Sequence, residues 1–339
     1  MTGRGAGRGT GRYDEHDPES YERPRRHTRP RTKERPSYAD AVDGVVVTVD
    51  RGRYTCRLEE AGTTVTAMKS RPLGRKGVVV GDRVRLVGDT SGAGGSLARI
   101  VEVGPRTTVL RRTADDADPV ERVVVANADQ LVVVTALADP EPRRGLIDRA
   151  LVAAYDAGMD PLLCLTKADL ADPEELLATY RPLGVRHVVT SIAGGRPAEL
   201  ADLRDRLTGR VSVLLGHSGV GKSTLVNALI PDAGRETGRV NVVTGRGRHT
   251  STSALMLALP GGGWIVDTPG IRSFGLAHVD PDHLIGAFPD LHGLTEACPR
   301  GCSHATGEPE CGLDEAPPEL AERVDSFRRL LASRDEPWS

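Results

Sequence analysis

Two runs of this sequence carry residue types that could hold and cleave a nucleoside triphosphate. Gly216-His217-Ser218-Gly219-Val220-Gly221-Lys222-Ser223 matches the phosphate-loop pattern G-x-x-x-x-G-K-S. Glycines there let backbone N–H groups close round phosphates, and the N-terminus of a following helix adds a favourable dipole. Lys222 is placed to bridge the β- and γ-phosphates, Ser223 to ligate Mg²⁺, and Thr224 joins the nucleotide-binding set. The apolar run Val211–Leu215 before the loop and the helix-forming Thr224–Leu229 after it supply the strand–loop–helix context that the motif requires. Downstream, Asp267-Thr268-Pro269-Gly270 ends the apolar run Trp264–Val266. Asp267 can hold Mg²⁺ through water there, and Gly270 can offer its N–H to the γ-phosphate.

Thr166-Lys167-Ala168-Asp169 follows the apolar run Pro161–Leu165 and reads as a variant of the guanine loop N-K-x-D. The Asp169 carboxylate can accept from N1–H and the exocyclic amine of guanine, a donor pair that adenine lacks. Ser191, after the short run Val188–Thr190, could supply a backbone contact to the guanine O6. Between the phosphate loop and Asp267 lies Gly245-Arg246-Gly247-Arg248-His249-Thr250-Ser251-Thr252. Thr250, with Thr252 as the alternative, is expected to close on Mg²⁺ and the γ-phosphate as a switch. The guanine loop thus precedes the phosphate loop, the reverse of the usual order, and the nucleotide domain is circularly permuted.

A second chemistry is written near the C-terminus. Cys298, Cys302, His304 and Cys311 offer three soft thiolates and one imidazole, enough for a closed tetrahedral zinc site of the structural type. Cys56 and Cys164 lie in alternating or apolar runs and are expected to be buried.

These groups need elements to hold them. Residues 41 to about 105 contain five short β-type runs, Val42–Val49, Tyr54–Leu58, Thr63–Met68, Asp82–Val87 and Leu97–Val103, separated by Gly, Pro and Asp. That spacing suits a small barrel, an OB-fold first and an SH3-like barrel second. Its only aromatic is Tyr54. With Arg51, Arg53, Arg57, Lys69, Arg71, Arg75, Lys76, Arg83 and Arg85 around it, the barrel suits phosphate contacts better than base stacking. From about residue 120, apolar runs alternate with helical segments, which implies a mostly parallel sheet with helices on both faces. A last helix is expected from near Pro318, with Leu320, Val324, Phe327 and Leu331 on one face. The expected organisation is a basic tail over 1–38, a barrel over 39–108, the nucleotide domain over 109–275 and a zinc-binding domain over 276–339.

The net charge of −2 conceals an asymmetry, since ten basic residues stand against six acidic ones through Tyr38. That head is poor in aliphatic residues and is expected to stay disordered. No run approaches the roughly 18 apolar residues of a membrane span, and no apolar signal core opens the chain, so a cytoplasmic protein without a membrane partner is expected.

The order guanine loop, Ser191 segment, phosphate loop, Gly247-Arg248-His249-Thr250 segment, Asp267-Thr268-Pro269-Gly270 and the Cys298/Cys302/His304/Cys311 set resembles the RsgA (YjeQ/YloQ) family over about residues 41 to 332. The resemblance implies an N-terminal OB domain, a permuted GTPase domain and a C-terminal zinc domain. It further implies binding to the 30S subunit and its 16S rRNA, a role in late maturation or in release of assembly factors, and GTPase activity stimulated by that particle. A monomer is expected. Spacings of three and six residues inside the Cys/His set replace the more usual four and five, so the loop geometry differs. Ras-type enzymes place a water-orienting glutamine just after D-x-x-G. Here Ile271 stands there, so slow hydrolysis by the free enzyme is expected. His249 is the internal candidate for the missing catalytic group, and the resemblance points to it too. Together with Lys222 and Thr250 it completes the expected catalytic set.

Two other function classes compete. A phosphate-loop ATPase or kinase would lack the guanine preference that Asp169 predicts. A non-catalytic RNA-binding scaffold would not need Lys222, Ser223, Asp267 and Asp169 all together.

Overall fold

The computed structural model describes residues 38–74, 77–113, 121–192, 197–231, 254–268, 276 and 279–334. The basic head, the His249/Thr250 segment and Gly270 with Ile271 lie outside the described residues. The described residues from Asp40 onward form one compact unit.

Alternation of apolar and polar residues makes the first five strands: β1 (Val42–Asp50), β2 (Arg53–Leu58), β3 (Thr64–Lys69), β4 (Arg83–Gly88) and β5 (Ala98–Val103). Successive side chains on a strand face opposite ways, so Tyr54, Cys56 and Leu58 turn inward while Arg53, Thr55 and Arg57 turn outward. The strands run β1-β2-β3-β5-β4, and β4 returns to pair with β1. Every pairing is antiparallel except β3 with β5. This is the five-stranded Greek-key barrel of an OB-fold. Its interior is filled by Val46, Cys56, Val65, Leu86 and Ile100. Arg51 and Gly52, both at positive φ (45° and 82°), close the β1–β2 hairpin as a two-residue turn.

The barrel is fastened to the chain that leaves it. Asp82 is fully buried and accepts two hydrogen bonds from Arg106, 2.7 Å from Nε and 2.8 Å from Nη2, with a third from the Val79 N–H at 2.8 Å. A buried carboxylate is tolerated only when satisfied in this way. A hairpin that the apolar runs did not announce follows, β6 (Val109–Thr113) with β7 (Glu121–Ala126). Ala126 passes so close to Gly81 that a Cβ on Gly81 would lie 2.0 Å from the Ala126 carbonyl oxygen. Only glycine fits there, and its φ of +87° also favours it.

The remaining strands are β8 (Gln130–Ala136), β9 (Asp160–Thr166), β10 (Arg186–Val189), β11 (Val211–Leu215), β12 (Leu255–Ala258) and β13 (Trp264–Asp267). They stand in the order β10-β9-β8-β11-β13-β12, parallel except for β12. Helices α1 (Arg144–Asp156) and α2 (Glu174–Tyr180) cover one face, against Leu131 and Val133. Helices α3 (Pro197–Leu207) and α4 (Lys222–Leu229) cover the other, against Val132 and Val134. With both faces covered, all seven residues of β8 are buried. One register pair, Thr48 with Leu255, joins β1 of the barrel to β12 and makes the two sheets continuous.

Short helices α5 (Pro281–Ile285) and α6 (Pro289–His292) and the terminal α7 (Ala321–Ala332) close the fold on α1. Val324, Phe327 and Leu331 of the expected stripe are buried, joined by Leu330, with Leu320 packed at the margin. Phe288 stands edge-on between Tyr155 of α1 (4.9 Å) and Phe327 of α7 (5.4 Å). Arg329 of α7 reaches the buried Asp148 of α1 at 3.2 Å, and Arg149 donates to the Ser333 carbonyl at 3.0 Å.

Candidate functional site

Parallel pairing brings the C-terminal ends of β11, β13, β9 and β10 to one edge of the sheet, where ligands of open α/β sheets bind. Strand β11 runs out into Gly216, whose Cβ, if present, would lie 2.2 Å from the Val134 carbonyl oxygen of β8. The loop therefore leaves the sheet packed against the neighbouring backbone. Gly219 and Gly221 take positive φ (85° and 92°), which turns the chain into α4 at Lys222. The Lys222 ammonium is held over the loop by the carbonyls of Gly216 and, at 3.1 Å, His217. Ser223 and Thr224 are exposed in the first turn of α4.

Asp267 ends β13 beside the lysine. Burial pushes its carboxyl above the usual range, and the Lys222 charge and the Thr268 N–H pull it back. Burial pushes Lys222 below its ordinary value, and Asp267 opposes that. Each charge is thus costly on its own and supported by the other. An anion at Lys222 and a cation at Asp267 would relieve both, which suits a magnesium-bound phosphate chain. Thr268 is buried and donates to the Leu214 carbonyl at 3.1 Å, pinning the exit of β13 to β11.

The guanine-loop residues lie alongside. Thr166 ends β9 buried, and its hydroxyl reaches the Val220 carbonyl of the phosphate loop at 2.6 Å, with the Thr135 carbonyl at 3.2 Å. This ties two loops 54 residues apart. Lys167 adopts φ +55° and donates to the Asp139 carbonyl. Asp169 accepts from the Ser191 hydroxyl, and the Ala168 N–H meets the Thr190 carbonyl at 3.3 Å. The structure therefore gathers Thr166, Asp169, Ser191 and the Gly216–Ser223 loop at one sheet edge.

Thr166→Val keeps the shape but leaves the buried Val220 carbonyl without its closest donor. The expected result is a loss of about 1–3 kcal/mol, read by denaturant unfolding, with weaker nucleotide binding in the same protein. Thr166→Ser, which keeps the hydroxyl, should retain both.

Sequence reasoning missed the segment between β8 and α1. Pro140, after a cis Asp139–Pro140 bond, comes within 3.5 Å of where a Gly219 Cβ would be, so this segment lies against the phosphate loop. The Asp-Pro pair was a turn signal that could have marked it. His217 lies in the same loop, its Nδ1 3.0 Å from the Ser218 carbonyl oxygen. Burial and the nearby Arg143 and Lys222 charges hold its pKa below the ordinary value, against the Ser218 contact.

The cysteine cluster forms next to α5, whose Asp282 lies 3.3 Å from His304. The ligand-type atoms of Cys298, Cys302, His304 and Cys311 all lie within 4.8 Å of one another. His304 Nδ1 is 3.9 Å from Cys298 Sγ and 3.8 Å from Cys311 Sγ. Cys302, His304 and Cys311 are buried. Three sulfurs and one nitrogen gathered this way fit a tetrahedral zinc centre. Cys56 and Cys164 are remote from it and fully buried, and burial pushes each thiol up to about 12.

Known proteins resemble this chain in sequence and in fold. The family model described as RsgA GTPase matches residues 103–277. The small ribosomal subunit biogenesis GTPase RsgA of Ectopseudomonas mendocina (strain ymp) is 42% identical over 269 residues, 76% of each chain. Its counterpart in Pseudomonas fluorescens (strain SBW25) is 40% identical over the same shares. Among solved structures, YjeQ from Thermotoga maritima superposes with a TM-score of 0.61 at 28% identity, covering 86% of this chain and 99% of that one. YloQ, a circularly permuted GTPase, shares the fold with a TM-score of 0.61 at 22% identity, covering 90% of this chain and 100% of its own.

Proposed function

The chain belongs to the RsgA GTPase family, and on that premise we propose how its residues bind GTP, hydrolyse it and engage the small ribosomal subunit. It is a GTP-hydrolysing enzyme of small-subunit maturation. Asp169 reads the guanine edge, with Ser191 beside it. The loop from Gly216 to Ser223 cradles the phosphates, with Lys222 on the β- and γ-phosphates. Ser223, Asp267 and Thr250 are the residues that would hold Mg²⁺, which supplies charge neutralisation at the phosphate oxygens when bound. Water attacks the γ-phosphorus, the bond to the β–γ bridging oxygen breaks, and GDP and phosphate leave. Preorganised positive charge stabilises what develops on those oxygens. His249 assists the water, a task Ile271 cannot perform.

The observation that supports this reading is the buried tie between Thr166 and Val220. It holds the base-reading loop and the phosphate loop at a fixed separation, as a guanosine triphosphate spanning both requires.

The barrel supplies the RNA contacts. Tyr54 is buried in its core and so offers no face for base stacking, while Arg51, Arg53, Arg71 and Arg83 are exposed. We assign these cations to phosphates of 16S rRNA. The cluster around His304 is assigned one structural zinc ion, which would hold the C-terminal module together. GTP hydrolysis is coupled to release of assembly factors or of the enzyme itself. A monomer acting in the cytoplasm fits these roles. Among the described residues no helix is long and apolar enough to cross a membrane.

Single-turnover hydrolysis with and without purified 30S subunits tests the reading. The free enzyme should turn over far below the roughly 1–100 s⁻¹ of efficient kinases, and 30S subunits should raise the rate strongly. His249→Ala should lower the stimulated rate much more than GTP affinity. Binding should weaken steeply with salt as counterions return to RNA phosphates. Equal stimulation by 50S subunits, or normal turnover of the His249 variant on 30S, would remove this coupling.

A further inference from the structure

We infer that Asp282 is a positioning residue of the metal centre: its carboxylate accepts the Nε2–H of His304 and so turns Nδ1 toward the cysteine sulfurs. The inference rests on the reading of Cys298, Cys302, His304 and Cys311 as a zinc site. His304 presents its two nitrogens to two different partners. Nδ1 faces Cys298 Sγ and Cys311 Sγ at 3.9 and 3.8 Å. Nε2 lies 3.3 Å from Asp282 Oδ1. A neutral imidazole carries one proton, so a proton held on Nε2 leaves the Nδ1 lone pair for a metal. A carboxylate behind the ring also makes the ligating nitrogen more basic.

The surroundings fix His304 in that pose. The residue is 3% exposed and sits at φ +56°, a region uncommon for residues other than glycine. Its carbonyl accepts from Arg328 Nε at 3.3 Å. The Gly312 N–H points at Cys298 Sγ at 3.1 Å, a contact that suits a thiolate.

Asp282 reaches the ring from a different part of the chain, 22 residues away. It stands in the first turn of α5, where its own N–H donates to the Asp280 cap at 3.0 Å. Helix α5 is seated on the nucleotide domain through buried Leu284 and Ile285, with His283 placed 3.1 Å from Asp156 of α1. The carboxylate thus connects the metal centre to α5 and, through it, to α1. Its side chain is 74% exposed, so replacing it removes a hydrogen bond without opening the core.

The test uses the full-length, zinc-loaded protein and reads zinc affinity by competition with a chromogenic chelator. Asp282→Ala should bind zinc about 10- to 100-fold more weakly and release it faster. Asp282→Asn, whose amide oxygen can still accept from Nε2–H, should recover part of the loss. Asp325→Ala, at an exposed carboxylate on a different helix, α7, should leave the affinity unchanged. Nitrogen NMR of the wild-type protein should show His304 protonated at Nε2 and metal-bound at Nδ1. Wild-type zinc affinity in Asp282→Ala, or a metal on Nε2, would overturn the inference while leaving the zinc site standing. Wild-type protein that binds no zinc would overturn the metal site itself and the inference with it.

Discussion

Replacing Lys222 by alanine will abolish measurable GTP hydrolysis, a loss of at least about 10²- to 10³-fold, the scale set by removing one preorganised donor from a charged transition state. Two effects add. The first is loss of the cation that the Gly216 and His217 carbonyls hold over the phosphate loop. The second acts through Asp267. Burial already raises that carboxyl, and the Lys222 charge is the main influence holding it down. Without the lysine, Asp267 loses the charge that opposes its burial, and its carboxyl moves further above the ordinary range. The Mg²⁺ dependence of whatever nucleotide binding remains should therefore differ from that of the wild type, a change that reports the Lys222–Asp267 coupling. Single-turnover assays on 30S subunits across a magnesium titration measure both, with circular dichroism as the control for folding. Turnover at the wild-type rate would exclude Lys222 from the chemistry.

Asp169→Asn will exchange base preference. In the proposed site the Asp169 carboxylate accepts from two donors on the guanine edge, N1–H and the exocyclic amine. Hydrogen bonds to a charged group contribute about 1.5–3 kcal/mol each, so losing the charged pair should weaken GTP by about 10²-fold or more. Xanthine carries an oxygen where guanine has the amine, and the asparagine amide can donate to it. Xanthosine triphosphate should consequently bind the variant better than GTP does. Ser191 donates to Asp169 in the wild-type site and can donate equally to an asparagine oxygen, so the loop pose should survive. Competition binding with GTP, ATP and xanthosine triphosphate reads the exchange. Equal competition by ATP and GTP for the unmodified protein would refute the guanine assignment.

Much of the fold is legible in the sequence alone. The five barrel strands fall within a residue or two of the alternating runs, because alternation is the direct imprint of a sheet with one buried face. Strand β11, the phosphate loop and α4 are contiguous, and each needs only its own residues to be recognised. The stripe on α7 was readable for the same reason, its 3.6-residue period being local. The β6–β7 hairpin was not readable. It is held by Val80 pairing with Val125 and by Asn127 donating to the Gly81 carbonyl at 2.9 Å, contacts some 45 residues apart in sequence.

Thr166 shows where the division lies. Its position after an apolar strand and directly before Lys167-Ala168-Asp169 reads as a guanine loop, and the order of the loops marks a permuted nucleotide domain. Those are properties of order and spacing, and the sequence by itself determines them. Whether the threonine faces the base or the neighbouring loop depends on where the Val220 carbonyl sits, which is set by the packing of β9 beside β8 and β8 beside β11. The same holds for Asp282, which no metal-ligand spacing includes and which only the seating of α5 on α1 brings to His304. Local sequence encodes periodicity and loop chemistry. A hydrogen bond between distant segments needs two backbones positioned to within a few tenths of an ångström, and only the packed core supplies that.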